Sequence, residues 1–474
     1  MKARVAIAAT ALIALAVTAR VFAHAQAPPD PLQQATLDGC ERNDTTLHTL
    51  HSPNWVFVDD KDYPAAGPPP PIRSVSGVVK RVEDDVHTSG GDNPVSHASY
   101  DLNFDVLVDA ADADLVAHTN TSGGLHSERE EAAAPAFVWP EPGDRVSMRG
   151  YWVWDCDHFT TNGEVTGEET EMHPWTTLWV ERSQPARSAT GEAEADLYVS
   201  NDQTEAGKSA ECAHRTKHDQ NAFNACVRAE PNTVDLSGRY VFPLPGRGRV
   251  RIVDAGSVSA PPVRVQGTNV VFTLPPDGRR HVVAKEIFVA GKPSARAHVR
   301  VTFDKVLVRR AMDPGCVPAA PPGCGTPETT NDDQVSHGPT GEWNFYSDVA
   351  GVWGMWKPKV WNVRDGQTIR PKTTVDVWLP PAAPWRVFVW TRECDWGTLA
   401  RGGSTALSPC PTQPEVGNRS GDDVPGAAMV RFRSVAQALG THVVDSSNAG
   451  STCPAINTKG CYRLTFTVRR LPLQ

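Results

Sequence analysis

Residues 152–182 read WVWDCDHFTTNGEVTGEETEMHPWTTLWVER, a stretch that gathers two histidines, several carboxylates, a cysteine and four tryptophans. His158 and His173 with Glu171 make two imidazoles and one carboxylate, a common ligand set for zinc with positions left open for water. In such a site the metal acidifies its bound water, and Asp157 or Asp155 would act as base or hold a ligand in place. The same residues also suit a metal-free arrangement, a carboxylate hydrogen-bonded between two histidines and packed on tryptophan. Their spacing lacks the tight repeat of an HExxH helix, so strand pairing must bring them together.

Two registers of this hairpin make different predictions. A two-residue turn at Asn162-Gly163 sets residue 154 opposite 171 and 152 opposite 173, leaving His158 about 13 Å along the ladder from Glu171. A loop over residues 159–170 sets 158 opposite 171 and 156 opposite 173, which brings His158, Glu171 and His173 together. The loop is favoured, because TTNGEVTGEET is rich in glycine and glutamate and buries almost nothing. In both registers Trp152, Trp154, Cys156 and His158 share a face with Glu171 and His173, while Tyr151, Val153, Asp155 and Asp157 share the other. Pro174 cannot donate to a ladder and marks an edge or bulge beside His173.

The elements that must position these residues are strands. Period-two apolar bursts recur, as in VSGVVKRV (Val75 to Val82), YDLNFDVLV (Tyr100 to Val108), HVRVTFDKVLV (His298 to Val308) and WRVFVW (Trp385 to Trp390). With frequent proline and glycine they predict an all-β protein. Helical patterning is sparse; Ser209 to Ala229 is the best candidate, one or two turns clipped by a disulfide. A chain of 474 residues exceeds one ordinary core. Residues 26–71 form a polar lead ending in the proline-rich PAAGPPPP, read as a linker. Residues 72–182 hold about five strands around an acid-rich insertion, TSGGLHSEREEAAAP, an order that suits an OB-like barrel. Residues 183–293 and 294–474 each read as a β-sandwich-like module, the second rich in tryptophan.

The elements DLNFDV, GDRVSMRGYWVWDCDH and EMHPW resemble an OB-like module of uncharacterised exported bacterial proteins, in which a strand ending Asp-x-Asp-His leads to Glu-Ile-His-Pro. The resemblance covers residues 72–182, and it implies that Asp157, His158, Glu171 and His173 act as a unit without implying an activity. This chain has Met172 where that pattern has isoleucine, and a longer acidic loop between the two halves.

Composition sets the compartment and excludes some partners. Lys2 and Arg4, an apolar run from Val5 to Val17, and Ala23-His24-Ala25 follow the three-part pattern of a secretory signal peptide, predicting cleavage after residue 25 and a secreted or periplasmic location. The apolar run is shorter than a bilayer span, and no later stretch is long enough, so no membrane span is expected after cleavage. The net charge of −9 becomes more negative once Lys2, Arg4 and Arg20 are removed, and no long basic run remains. A nucleic-acid partner is therefore not expected. Ten cysteines in an exported chain point to disulfides. Local spacing suggests Cys212 with Cys226, Cys316 with Cys324, Cys394 with Cys410 and Cys453 with Cys461, leaving Cys40 for Cys156.

Other motifs are weaker. His214 and His218 flank no glutamate, and the neighbouring Cys212 and Cys226 favour a disulfide over a zinc site of two cysteines and two histidines. The last region loosely resembles a calcium-binding C2 sandwich, but its candidate acids Asp313, Asp348 and Asp395 are far apart in sequence. There is no G-x-S-x-G elbow and no Walker loop. Eight tryptophans from Trp343 to Trp396 suit either a sugar-stacking platform or a filled core, and the core is favoured.

The expectation is an exported, disulfide-stapled, all-β binding or structural protein of the bacterial envelope or exterior. A divalent metal, zinc first, would be its cofactor, held by His158, Glu171 and His173, and its partner an extracellular carbohydrate or protein. One alternative is a zinc-type hydrolase using those residues with Asp157 as base. The other is a carbohydrate-binding protein acting through the tryptophan-rich region.

Overall fold

The computed structural model describes residues 55–59, 67–82, 95–96, 101–117, 120, 123–129, 134–155, 169–203, 205–216, 220–291, 295–311, 340–357, 361–393, 426–448, 451–452 and 461–472. The expected signal peptide, the linker's first residues, His158 and Asp157 lie outside this set. So do the cysteines other than Cys212, Cys226 and Cys461.

Five strands close a barrel: β1 (Arg73–Val82), β2 (Phe104–Val108), β3 (Leu125–Ser127), β4 (Arg145–Asp155) and β5 (Glu169–Glu181). Pairing runs β1-β2-β3-β5-β4 and returns to β1, antiparallel throughout except between β3 and β5. This order, with a 3-10 turn at Ala136–Val138 between β3 and β4, is that of an OB-like barrel. Alternation sends Val79, Phe104, Val106, Leu125, Trp152, Trp154 and Met172 into one core.

The hairpin register differs from both expectations: Val153 pairs with Glu171, Trp154 with Thr170 and Asp155 with Glu169. Trp152 and Trp154 therefore join Met172 in the barrel interior, while Tyr151 and Val153 share the outer side with Glu171 and His173. Parity could not be read from the sequence because all four residues from Tyr151 to Trp154 are apolar and buried, so the strand offers no contrast between faces. The outer face of β4 is covered too: Phe57, Tyr151 and Val153 pack against Ala210 of a helix. As expected, β5 bulges at Pro174, since Trp152 pairs with Met172 and Gly150 with Trp175. At Gly150 a side chain is excluded, because a Cβ would lie 2.6 Å from the Trp175 Cα.

Beyond the barrel follow β6 (Ala193–Ser200), α1 (Glu205–Thr216), α2 (Gln220–Ala229), β7 (Gly238–Pro243), β8 (Val250–Asp254), β9 (Arg264–Gln266), β10 (Asn269–Leu274) and β11 (Val282–Val289). The two helices are longer than the turn or two expected, and the Cys212–Cys226 disulfide joins them. The end of β5 pairs with β6, and the sheet continues through β11 to β8. A second sheet, β7-β10-β9, packs on it through Trp179, Tyr240, Phe242 and Phe272. The middle region is thus a sandwich, yet one of its sheets is continuous with the barrel. The boundary expected after residue 182 falls inside a hydrogen-bonded sheet.

The last region is a two-sheet sandwich. Its strands are β12 (Ala297–Arg310), β13 (Thr340–Val349), β14 (Val352–Met355), β15 (Trp361–Arg364), β16 (Thr373–Leu379), β17 (Trp385–Glu393), β18 (Gly426–Phe432), β19 (Gly440–Asp445) and β20 (Cys461–Leu471). One sheet has β12 flanked by β16 and β20, with β19 outside β20; the other runs β14-β13-β17-β18. Val387 and Val389 face the sandwich core with Trp343, Phe345 and Trp356, while the alternate residues Phe388 and Trp390 face the barrel. There Trp139 meets Tyr346 and Trp353, each at 5.2 Å between ring centroids. Cys461 is disulfide-bonded.

Candidate metal centre

Three neighbouring strands present a grid of polar side chains on the outside of the barrel. Asp105 of β2 pairs with His126 of β3, and His126 pairs across the parallel ladder with Glu171 of β5. The ladder continues one step past the strands: Leu102 and Arg129 exchange backbone hydrogen bonds, and Glu128 donates to the Met172 carbonyl. Since side chains two residues apart share a face, Asp105, His126, Glu128, Glu171 and His173 come together, with Asn103 beside Glu128.

The side chains form one connected cluster. His126 Nδ1 lies 2.9 Å from Asp105 Oδ1, and its Nε2 lies 2.8 Å from Glu128 Oε1. The other oxygen of Glu128 is 3.1 Å from His173 Nδ1, and Glu171 Oε2 is 3.4 Å from the same nitrogen. Arg81 Nε donates to Asp105 at 2.9 Å. Glu171 and His173 are fully buried, Glu128 is 2% exposed and His126 9%.

Burial opposes charge on His126, but hydrogen bonds to Asp105 and Glu128 and the charges of Glu128 and Glu171 outweigh it and hold its pKa well above the usual histidine value. Burial likewise raises the Asp105 carboxyl, yet His126 and Arg81 prevail and keep it below the ordinary range. A carboxylate at each ring nitrogen favours the protonated form of His126.

The same geometry suits a cation. One ligand atom each from His126, Glu128 and Glu171 lie within 4.8 Å of one another. With Asp105 against Nδ1, the Nε2 of His126 would be left to face an ion, as in the carboxylate–histidine–metal arrangement that fixes a ring and raises its basicity. His173, in contact with both glutamates, supplies a further donor. An ion held there would take the place of the His126 proton as the charge that balances the carboxylates.

Of the residues anticipated from sequence, Glu171 and His173 do lie side by side. His158 and Asp157 are outside the described residues. Their expected opposition to Glu171 through the loop register is replaced by Val153. Sequence reasoning missed Asp105, His126 and Glu128, because LHSER was assigned to an acid-rich insertion, whereas Leu125–Ser127 is β3. The signal was present as His-x-Glu, which places both side chains on one face of any extended segment, as does Glu-x-His at 171–173.

Elsewhere, His214 is buried near the Phe57 ring, and Cys212 is consumed by its disulfide. In the last region Trp343, Trp353, Trp356, Trp385 and Trp390 are buried, as expected of core filling. Asp348, considered for calcium, pairs instead with Arg386 at 2.7 Å.

Comparison with protein families finds no match. Curated proteins give none either. Among solved structures, human GIVD cytosolic phospholipase A2 aligns at 8% identity and a TM-score of 0.17 over 74% of this chain, which spans about a quarter (26%) of that protein. A fragment of extended-synaptotagmin 2 carrying its SMP domain and two C2 domains aligns at 9% identity and a TM-score of 0.19, over 94% of this chain and 95% of that one. Likeness at this level carries no argument about fold or function.

Proposed function

We propose that this chain is an exported metal-binding protein whose OB-like barrel holds one divalent cation, zinc first, through His126, Glu128, Glu171 and His173, with Asp105 orienting His126. The observation that carries the reading is the buried grid itself, two imidazoles and two glutamates converging from β3 and β5. Burying that many ionisable groups is costly unless each is paired, and an ion is a partner that matches His126, Glu128 and Glu171 at once, with His173 against both glutamates. Oxygen and imidazole donors together suit zinc better than calcium, which takes oxygen ligands only. Export is supported by the N-terminal pattern and by the Cys212–Cys226 disulfide.

Burial of the cluster favours a binding or structural role over hydrolysis, since a catalytic metal needs a position open to substrate. The test is elemental analysis of the purified mature chain together with zinc titration after chelator treatment. About one equivalent of zinc is expected, lost in Glu171→Gln. Absence of metal from the wild type, with no zinc uptake after stripping, overturns the reading. So does undiminished zinc in Glu171→Gln and His126→Ala alike.

A further inference from the structure

The strand that carries the histidine cluster has polar groups on its other side as well. Period two in LHSER sends His126 and Glu128 outward, and Leu125, Ser127 and Arg129 toward the barrel interior. Arg129 exchanges backbone hydrogen bonds with Leu102, a core residue, so the two side chains share that inner side. There Arg129 is 0% exposed, and the rings of Trp175 and Tyr198 are centred 5.3 and 5.6 Å from its Cζ.

A guanidinium keeps its proton in a protein, so burial takes a permanent charge out of water, which is costly unless an opposite charge accompanies it. Arg182 and Arg386, buried where the barrel meets the last sandwich, each contact two carboxylates: Asp144 at 2.9 Å and Asp196 at 2.6 Å for the first, Glu141 at 2.8 Å and Asp348 at 2.7 Å for the second. Arg129 has no ion-pair partner among the described residues. Its Nη1 donates to the Trp175 carbonyl at 2.5 Å, whereas Nε and Nη2 meet no acceptor among the described residues. Two further donors stand beside it. The Trp175 indole N–H and the Ser127 hydroxyl are fully buried and also lack a partner among the described residues. The Glu128 oxygens are on the outer side, against His126 and His173, and give these N–H groups no lone pair. Aromatic faces attract the cation but are weak acceptors.

We infer that the inner side of β3 binds one small monoanion of halide size, chloride first, held by Arg129 Nε and Nη2 together with the Trp175 indole and the Ser127 hydroxyl. The charge selects an anion over a water molecule, because a water accepts hydrogen bonds but brings nothing to balance the guanidinium. Enclosure selects the size: these groups are shut off from solvent, so a halide fits the setting and a bulky organic anion does not. None of the four donors is a metal ligand, so the two readings can fail separately.

Crystals of the full mature chain grown with bromide in place of chloride give the direct test: an anomalous bromine peak is expected within hydrogen-bonding reach of Arg129 Nε and Nη2. In solution, thermal unfolding is compared in chloride and in gluconate at fixed ionic strength. Chloride at about ten times its dissociation constant should shift the folding equilibrium about tenfold toward the native state. Arg129→Met should lose that dependence. Trp175→Phe, which keeps a ring and deletes the N–H, should need about tenfold more chloride for the same shift, the weight of one hydrogen bond to a charge, and Ser127→Ala a few-fold more. These two variants decide the matter if Arg129→Met does not fold. Bromide bound elsewhere in the crystal with none at Arg129 overturns the inference. So does a wild type that unfolds alike in chloride and gluconate, or a chloride dependence that Trp175→Phe and Ser127→Ala leave unchanged.

Discussion

The outer face of the barrel and the interface beneath Arg386 both bury carboxylates, but they balance them with different cations. On the barrel, Asp105, Glu128 and Glu171 surround His126 and His173. At the interface, Asp144, Asp196, Asp348 and Glu141 surround Arg182 and Arg386. A guanidinium keeps its proton and cannot ligate a metal, whereas an imidazole can give up a proton and offer the nitrogen to an ion. Burial of charge alone therefore does not mark a metal site. The arginine network ties β5 to the segment after the 3-10 turn, and the sandwich to the barrel; the histidine cluster has the donors to exchange protons for metal.

The largest effect is expected at Arg182. Arg182→Ala leaves Asp144 and Asp196 buried without their main cation, and should cost about 3 to 5 kcal/mol in chemical denaturation, the usual loss on removing one partner of a buried pair. If the variant unfolds at the wild-type midpoint, the network is not what holds this junction.

On the barrel the largest response should come from metal instead. Zinc at about 100 times its dissociation constant should raise stability by about 2.7 kcal/mol through preferential binding to the folded state, and a chelator should reverse the gain. Thermal unfolding with and without zinc measures it. The same addition should leave Glu171→Gln unmoved. A third change separates ligand from support: Asp105→Asn removes the carboxylate that orients His126, and should weaken zinc binding about 10- to 100-fold rather than abolish it. Unchanged affinity would show that His126 is held by Glu128 alone.

The smallest effect is one of pH. Burial pushes Asp348 up to about 7, with Asp144 adding to it against the Gly351 N–H and Arg182; Glu141 and Arg386 also face it. Its folded pKa exceeds the unfolded value of 3.8, so the native state retains a proton that the unfolded chain has released. The associated stability is fully present below the unfolded pKa and is lost as pH rises through about 7. Glu194, raised by burial to about 7, acts in the same direction. Unfolding temperature should therefore fall by roughly a few degrees between pH 5 and pH 8, and Asp348→Asn should flatten the slope. Asp105 acts with the opposite sign: held low by His126, it contributes stability that is lost on acidification. An Asp105→Asn chain should accordingly be less sensitive to acid than wild type.

Much of the architecture was legible in the chain. Strand bursts at Val75–Val82 and His298–Val308 appear as β1 and β12, and the order of elements in the first third gave the barrel. Glu171 and His173 could be placed on one face because Glu-x-His has a period of two in any strand. Short-range spacing also sufficed for Cys212 and Cys226, separated by 14 residues. Local composition and periodicity determine these features, since they depend on neighbours a few residues away.

Which faces meet depends on long-range packing. The apolar run Tyr151–Trp154 fits either side of a sheet, and its register was set by the bulged pairing with β5 and by α1 covering the outer side. His126 and Glu128 are more than 40 residues from Glu171 in the chain, and they meet it because barrel closure lays β3 parallel to β5. The continuity of the barrel sheet into the middle sandwich, and the pairing of Glu141 with Arg386 across 245 positions, are likewise products of closure and packing. Sequence pattern specifies how each strand presents its side chains; the free energy of burying whole faces against one another selects which of those side chains become neighbours.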